Sequence, residues 1–169
     1  MRRIGQIVKL NEVLRALYDE GVAFVLIGGA AMQLQGSAYL TEDLDFCYAR
    51  TKQNFAKLAR AMTPYHPRLR GAPEGLPFHF DSATIERGLN FTLDTDLGAI
   101  DFLGQVSGFP DYAAVKSASD TISILGMDCQ VLSVAGLIRA KQAAGRKKDL
   151  EAVVELKSLL DMKDRTKLK

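Results

Sequence analysis

Six consecutive apolar residues, Val22-Ala23-Phe24-Val25-Leu26-Ile27, stop abruptly at Gly28-Gly29. A short, β-rich run with no polar alternation predicts a buried strand. A short helix, Ala30 to Gln35, is expected to follow and to stop at Gly36. Asp43-Leu44-Asp45-Phe46-Cys47-Tyr48 then alternates polar with apolar, the period of a second strand. Upstream, Ile7, Leu10, Leu14, Leu17 and Tyr18 predict an amphipathic helix over 4–20. Thr51 reads as the N-cap of a helix through Phe55, Leu58 and Met62.

Pro64, Pro67, Pro73 and Pro77 make the next segment the least regular, a long loop. Beyond it, Leu89–Leu93 and Gly98–Leu103 read as paired strands around a turn at Asp94-Thr95-Asp96. Thr121–Leu125 and Met127–Leu132 form a second pair joined at Gly126. Ser133 caps a helix that Gly145 ends, and a last helix runs from Lys147 to Leu160 before a charged tail expected to fray. The expectation is a single α/β (α+β) domain over 1–169, with a core at about 22–132 and closing helices at about 133–162.

Composition narrows the function classes. With 169 residues, 47% of them hydrophobic, the chain can bury a core without disulfides or a structural metal. A net charge of +2 excludes a strongly basic nucleic-acid coat, though not a local basic face. Two cysteines, Cys47 and Cys129, make neither a disulfide framework nor a zinc site. No apolar run approaches the roughly 18 residues of a membrane span, and Met1-Arg2-Arg3 leads into a polar amphipathic stretch rather than a signal sequence. A soluble, cytoplasmic, reduced protein is expected.

The chemistry concentrates in two places. A buried strand that ends in Gly28-Gly29 at a helix start allows close backbone approach and aims N–H groups at an anion; paired glycines also mark ordinary tight turns. Asp43 and Asp45, two apart on a strand, emerge on one face while Leu44 and Phe46 enter the core. Adjacent carboxylates repel unless a cation compensates, and magnesium, which takes oxygen ligands, suits them. Asp101, the sole charge in Ala99-Ile100-Asp101-Phe102-Leu103, is the third candidate, because a buried aspartate needs a partner. Asp94 and Asp96 are alternatives with an ordinary turn explanation, and Glu42 points to the opposite face.

Gly28-Gly29, then Thr41-Glu42-Asp43-Leu44-Asp45, then Asp101 on a later strand resembles the nucleotidyltransferase superfamily of polymerase-β type. Leu137-Ile138-Arg139-Ala140-Lys141 and Ala144-Gly145-Arg146-Lys147-Lys148-Asp149 resemble C-terminal motifs of its small prokaryotic members, which include abortive-infection and type IV toxin enzymes. The resemblance implies a mixed, largely antiparallel sheet with helices packed on one side. It implies that Asp43, Asp45 and Asp101 bind two divalent ions, Mg2+ or Mn2+. Gly28, Gly29, Thr41, Lys141 and Asp149 would then serve a nucleoside triphosphate. Asp149 near a helix start also has a plain dipole explanation, and Arg146, Lys147 and Lys148 either bind an acidic acceptor or solvate the turn. Two positions depart from the family pattern: Gly29 stands where many relatives have serine, and Tyr39 where many have arginine.

The implied activity is transfer of a nucleoside monophosphate to a hydroxyl, on an RNA 3′ end or a protein, with a cognate antitoxin or a second copy as partner and no membrane. The alternatives are transfer to a small molecule of antibiotic type and a catalytically silent binding module. His66 and His79 lack a paired nucleophile, so a catalytic triad is unsupported. Cys47 reads as a buried filler, and the scattered aromatics make no base-stacking platform.

Overall fold

The computed structural model describes residues 9–168. The helices are α1 (Leu10–Asp19), α2 (Gly28–Leu34), α3 (Lys52–Met62), α4 (Ser82–Arg87), α5 (Tyr112–Ser117), α6 (Val134–Ala144) and α7 (Lys147–Lys167). The strands are β1 (Phe24–Ile27), β2 (Asp43–Tyr48), β3 (Arg68–Leu69), β4 (Asn90–Thr95), β5 (Gly98–Leu103), β6 (Ser119–Ile124) and β7 (Met127–Leu132). They form one seven-stranded sheet in the order β3-β4-β5-β2-β1-β7-β6. The apolar run makes β1, buried at every residue, antiparallel to β2 and parallel to β7. β2 runs parallel to β5, and the remaining pairings are antiparallel. The sheet is therefore mixed and mostly antiparallel, as expected.

Pleat alternation decides what each strand hides. Leu44 and Phe46 are buried, and Phe46 stacks on Phe102 of β5 with ring centroids 5.7 Å apart. Phe24 meets Phe46 edge-on and Phe80 stacks on Phe102, so an aromatic row underlies the centre of the sheet. Helix α3 packs behind the same face through Phe55 and Tyr48. Thr51 caps this helix by accepting from the Asn54 N–H. The Asn54 side chain then clamps two strand ends: its Oδ1 accepts from Ala23 N at 2.7 Å, and its Nδ2 donates to Ala23 O and Ala49 O.

Several local expectations change. Residues 4–8 of the first expected helix lie outside the described residues. The proline-rich segment is not a bare loop: it carries a 3-10 turn at Thr63–Tyr65, the short β3 and the six-residue α4. Helix α5, unforeseen, starts at an Asp111 cap that accepts from Ala114 N. The turn between β4 and β5 is tighter than expected, with Asp94 and Thr95 inside β4. The charged tail does not fray at Leu160, because α7 continues to Lys167. Lys163 Nζ donates to the buried Gln35 Oε1 at 2.7 Å, and Glu155 accepts from Ser37 Oγ, so the helix is fastened to the segment after α2. Among the described residues no helix is long and apolar enough to cross a membrane.

The Asn54 clamp is open to a direct test. Asn54→Ala strands backbone groups of two strand ends in a half-buried place, a loss of about 2–4 kcal/mol, or about 5–15 °C in Tm for a domain of this size. Thermal melting followed by circular dichroism measures it; a drop of under about 2 °C would show that water replaces the amide.

Candidate functional site

Strand register assembles the acidic site. Asp45 of β2 lies opposite Ile27 of β1 on one side and opposite Asp101 of β5 on the other. Asp43, two residues earlier, shares the Asp45 face, so the three carboxylates expected from the sequence come together on one face of the sheet centre. Asp45 and Asp101 touch through a side-chain hydrogen bond. Burial, and after it the neighbouring Asp101 and Asp43 carboxylates, push the Asp45 carboxyl up to about 7. The neutral form of Asp45 is thus favoured well above the pH at which an exposed carboxyl ionises. Burial raises the Asp101 carboxyl as well, against the opposing pull of Arg70.

Arg70 is the residue that sequence reasoning missed. Its Nη2 donates to Asp101 Oδ1 at 2.8 Å and its Nε to Asp94 Oδ1 at 3.2 Å, while Nη1 stands 3.8 Å from Asp43 Oδ2. Asp94 therefore belongs to this cluster as a strand residue and not to the solvated turn first assigned to it. Asp96 does sit outside, paired at the surface with His66 and Arg68. The only signal for Arg70 was the alternation Arg68-Leu69-Arg70 inside a proline-rich segment, too short to read as a strand.

The glycine turn adjoins the carboxylates. Gly28 has φ +67°, and a Cβ there would overlap the Asp45 carboxylate, so both backbone conformation and space require glycine. A Cβ on Gly29 would stand 2.7 Å from Thr41 Cβ and 2.9 Å from Tyr39 Cε1. The two departures from the family pattern are thus one packing unit, since Tyr39 and Thr41 fill the space that a residue 29 side chain would need. Thr41 braces the entry to β2: its Oγ1 donates to Asp43 O at 2.8 Å and accepts from Asp43 N.

Lys141 and Asp149 meet where α6 turns into α7. Ser133 caps α6 and Gly145 ends it in the left-handed conformation, as expected. The Asp149 side chain has no exposed surface; it accepts from Arg146 Nε at 2.6 Å, from Arg146 N and from Lys141 Nζ at 3.4 Å. These partners hold its carboxyl below the ordinary value, Arg146 first. Asp149, with no exposed side-chain surface, is placed to orient these two cations and not to touch a ligand itself. The positive charge of Lys141 favours the ionised form of Asp45, and Asp45 in turn favours the charged form of Arg146, so both cations lie within electrostatic range of the acidic face. Cys47 is buried, its thiol pushed up to about 12 by desolvation, and is a filler rather than a nucleophile.

Among the described residues no three His, Cys, Asp or Glu side chains form a ready-made metal cage; Asp45 and Asp101 turn to each other, and Asp101 to Arg70 as well. Their chemistry still fits a hard divalent cation: the donors are all carboxylate oxygens, and burial with two neighbouring carboxylates disfavours the charge on Asp45, which a cation would relieve.

No family model and no curated protein matches the chain. Solved structures do. A candidate nucleotidyltransferase from Thermotoga maritima superposes with a TM-score of 0.53 at 18% identity, covering 94% of this chain and 98% of that one. ANT(2″)-Ia, in complex with adenylyl-2″-tobramycin, superposes with a TM-score of 0.52 at 13% identity, covering 93% and 96%. The fold is therefore that of nucleotidyltransferases.

The repulsion within the site has a measurable sign. Since the Asp45 pKa is raised on folding, ionising it costs stability between its unfolded value near 4 and about 7. Asp45→Asn keeps the neutral form, so in EDTA it should gain about 4 kcal/mol at pH 8, about 8–16 °C in Tm. The gain should vanish near pH 4. Equal melting of both proteins at pH 8 would show that the carboxylate is not strained.

Proposed function

We propose that this chain is a metal-dependent nucleotidyltransferase that moves a nucleoside monophosphate from a nucleoside triphosphate to a hydroxyl acceptor, releasing pyrophosphate. The observation that carries the reading is the register Asp45 opposite Asp101, with Asp43 on the same face, in a sheet with the nucleotidyltransferase fold. Asp43, Asp45 and Asp101 are the residues that would hold two Mg2+ or Mn2+ ions. Such ions lower the pKa of an acceptor hydroxyl and neutralise a leaving pyrophosphate.

The chain's own groups do the rest. Gly28 and Gly29, whose missing side chains let Asp45, Tyr39 and Thr41 pack against the turn, would offer backbone N–H groups at the start of α2 to triphosphate oxygens. Lys141, steadied by the buried Asp149, offers an ammonium beside the carboxylates, where negative charge grows on the phosphates in the transition state. Arg146, bound to the same Asp149 yet largely exposed, reaches the solvent side of the site and suits an anionic acceptor. Thr41 fixes the start of β2 and so the direction of Asp43. The acceptor we favour is an RNA 3′ end or a protein hydroxyl, in the manner of the toxin-type enzymes whose C-terminal motifs the chain resembles, with a cognate antitoxin or a second copy as partner.

The test is incubation of the protein with each α-labelled nucleoside triphosphate, Mg2+ or Mn2+, and either total RNA or a cell extract. Label should enter RNA or one protein band, and Asp43→Asn should abolish it without unfolding the chain. Label confined to small molecules would overturn this acceptor, and no transfer with any nucleotide would favour a silent binding module.

Lys141→Ala separates a phosphate ligand from a structural lysine. Turnover should fall on the order of 100-fold, while Asp149, still held by Arg146, limits the loss of stability to about 1 kcal/mol. Single-turnover rates and melting curves on the same samples read both; near-wild-type transfer would refute the role.

A further inference from the structure

Arg70 enters neither the sequence motifs nor the chemistry above, yet its guanidinium lies among the carboxylates. Its backbone N–H donates to Thr92 O at 3.0 Å, extending the ladder of β3 and fixing where the side chain starts. Its Nη2 donates to Leu93 O at 2.7 Å as well as to Asp101 Oδ1. With Nε on Asp94 and Nη1 toward Asp43, one planar fork engages three carboxylates at once, with 20% of the side chain exposed. A shielded, multidentate arginine is a different object from a surface ion pair.

We propose that Arg70 is an internal counter-cation: its guanidinium holds Asp43 and Asp101 while the site lacks divalent metal, gives them up when metal binds, and keeps Asp94 as its resting partner. This inference rests on the reading of Asp43 and Asp101 as metal ligands. Three observations support it. The Asp101 oxygen that faces Arg70 is already occupied by an N–H at 2.8 Å. A divalent ion about 2.1 Å from the same oxygen would stand within about 5 Å of the guanidinium, where like charges in a shielded site repel strongly. Asp43 Oδ2 likewise stands 3.8 Å from Nη1, so one guanidinium lies against two of the three carboxylates. Asp94, outside the ligand set, lets Arg70 withdraw without losing every partner.

The experiment titrates Mn2+ into the full-length wild type, Arg70→Met and Arg70→Lys by calorimetry, and records Tm in EDTA and in saturating Mn2+. Arg70→Met keeps an apolar stem and removes the charge. It should bind Mn2+ at least about tenfold more tightly than wild type, melt lower in EDTA, and recover most of that loss with Mn2+. Arg70→Lys keeps a charge without the fork, guards against a failure to fold, and should fall between the two. If wild type binds Mn2+ and neither variant binds it more tightly, the proposal is overturned, and Arg70 is a fixed brace that stays on Asp101 beneath the metal. If none of the three proteins binds Mn2+, the metal-dependent reading of the site itself fails and takes this inference with it.

Discussion

The in-register parallel pairing of β2 with β5 is the constraint on which the rest depends. It sets Asp45 opposite Asp101 and, one residue on, Phe46 opposite Phe102. The same pleat that stacks two phenyl rings on the underside of the sheet therefore stacks two carboxylates on top. A slip of one residue would send the acids into the aromatic layer and the rings into the site. Burial of Leu44, Phe46, Ile100 and Phe102 resists that slip, so packing energy on one face maintains charge repulsion on the other.

That repulsion is relieved locally in different ways. Asp101 has Arg70, whereas Asp45 has mainly its own proton and the more distant field of Lys141. Asp149, also buried, has the opposite fate: two cations and a backbone N–H surround it, and its acidity is enhanced. One buried carboxylate is thus satisfied and serves as an anchor, while Asp45, among the described residues, is left with little compensating positive charge. Unsatisfied charge in a folded protein is costly and persists where a ligand is to supply what is missing.

Legibility in the sequence followed the range of the interactions. β1, the shared face of Asp43 and Asp45, the Thr51 and Ser133 caps and the Gly145 stop depend on neighbours within a few residues, and each could be read directly. Asp101 was readable because a lone charge in an apolar strand violates a local rule. Arg70 was not, because its meaning comes from Asp101, 31 residues away, across three strands. Asp94 was misplaced because Asp94-Thr95-Asp96 has turn composition, and it is pairing with Ala99 of β5 and Arg68 of β3 that keeps it in the strand. The end of α7 looked like a solvated tail, because the partners of Lys163 and Glu155 are Gln35 and Ser37, more than 100 residues distant. Helices α4 and α5 had cap residues, Asp81 and Asp111, but too few apolar positions to show a helical period.

The packing of Tyr39 and Thr41 against Gly29 bears on how such a site can change by mutation. Serine at position 29 would meet both the Thr41 Cβ and the Tyr39 ring at under 3 Å, so it is admissible only where both neighbours give way. The long, flexible side chain of arginine at position 39 could vacate that space. Substitution at 39 therefore relieves the ring contact alone, and the Thr41 Cβ must still shift before a side chain at 29 fits. Positions 29, 39 and 41 are in this way bound into one unit, in which what each can become is dictated by the volume beside a single α-carbon.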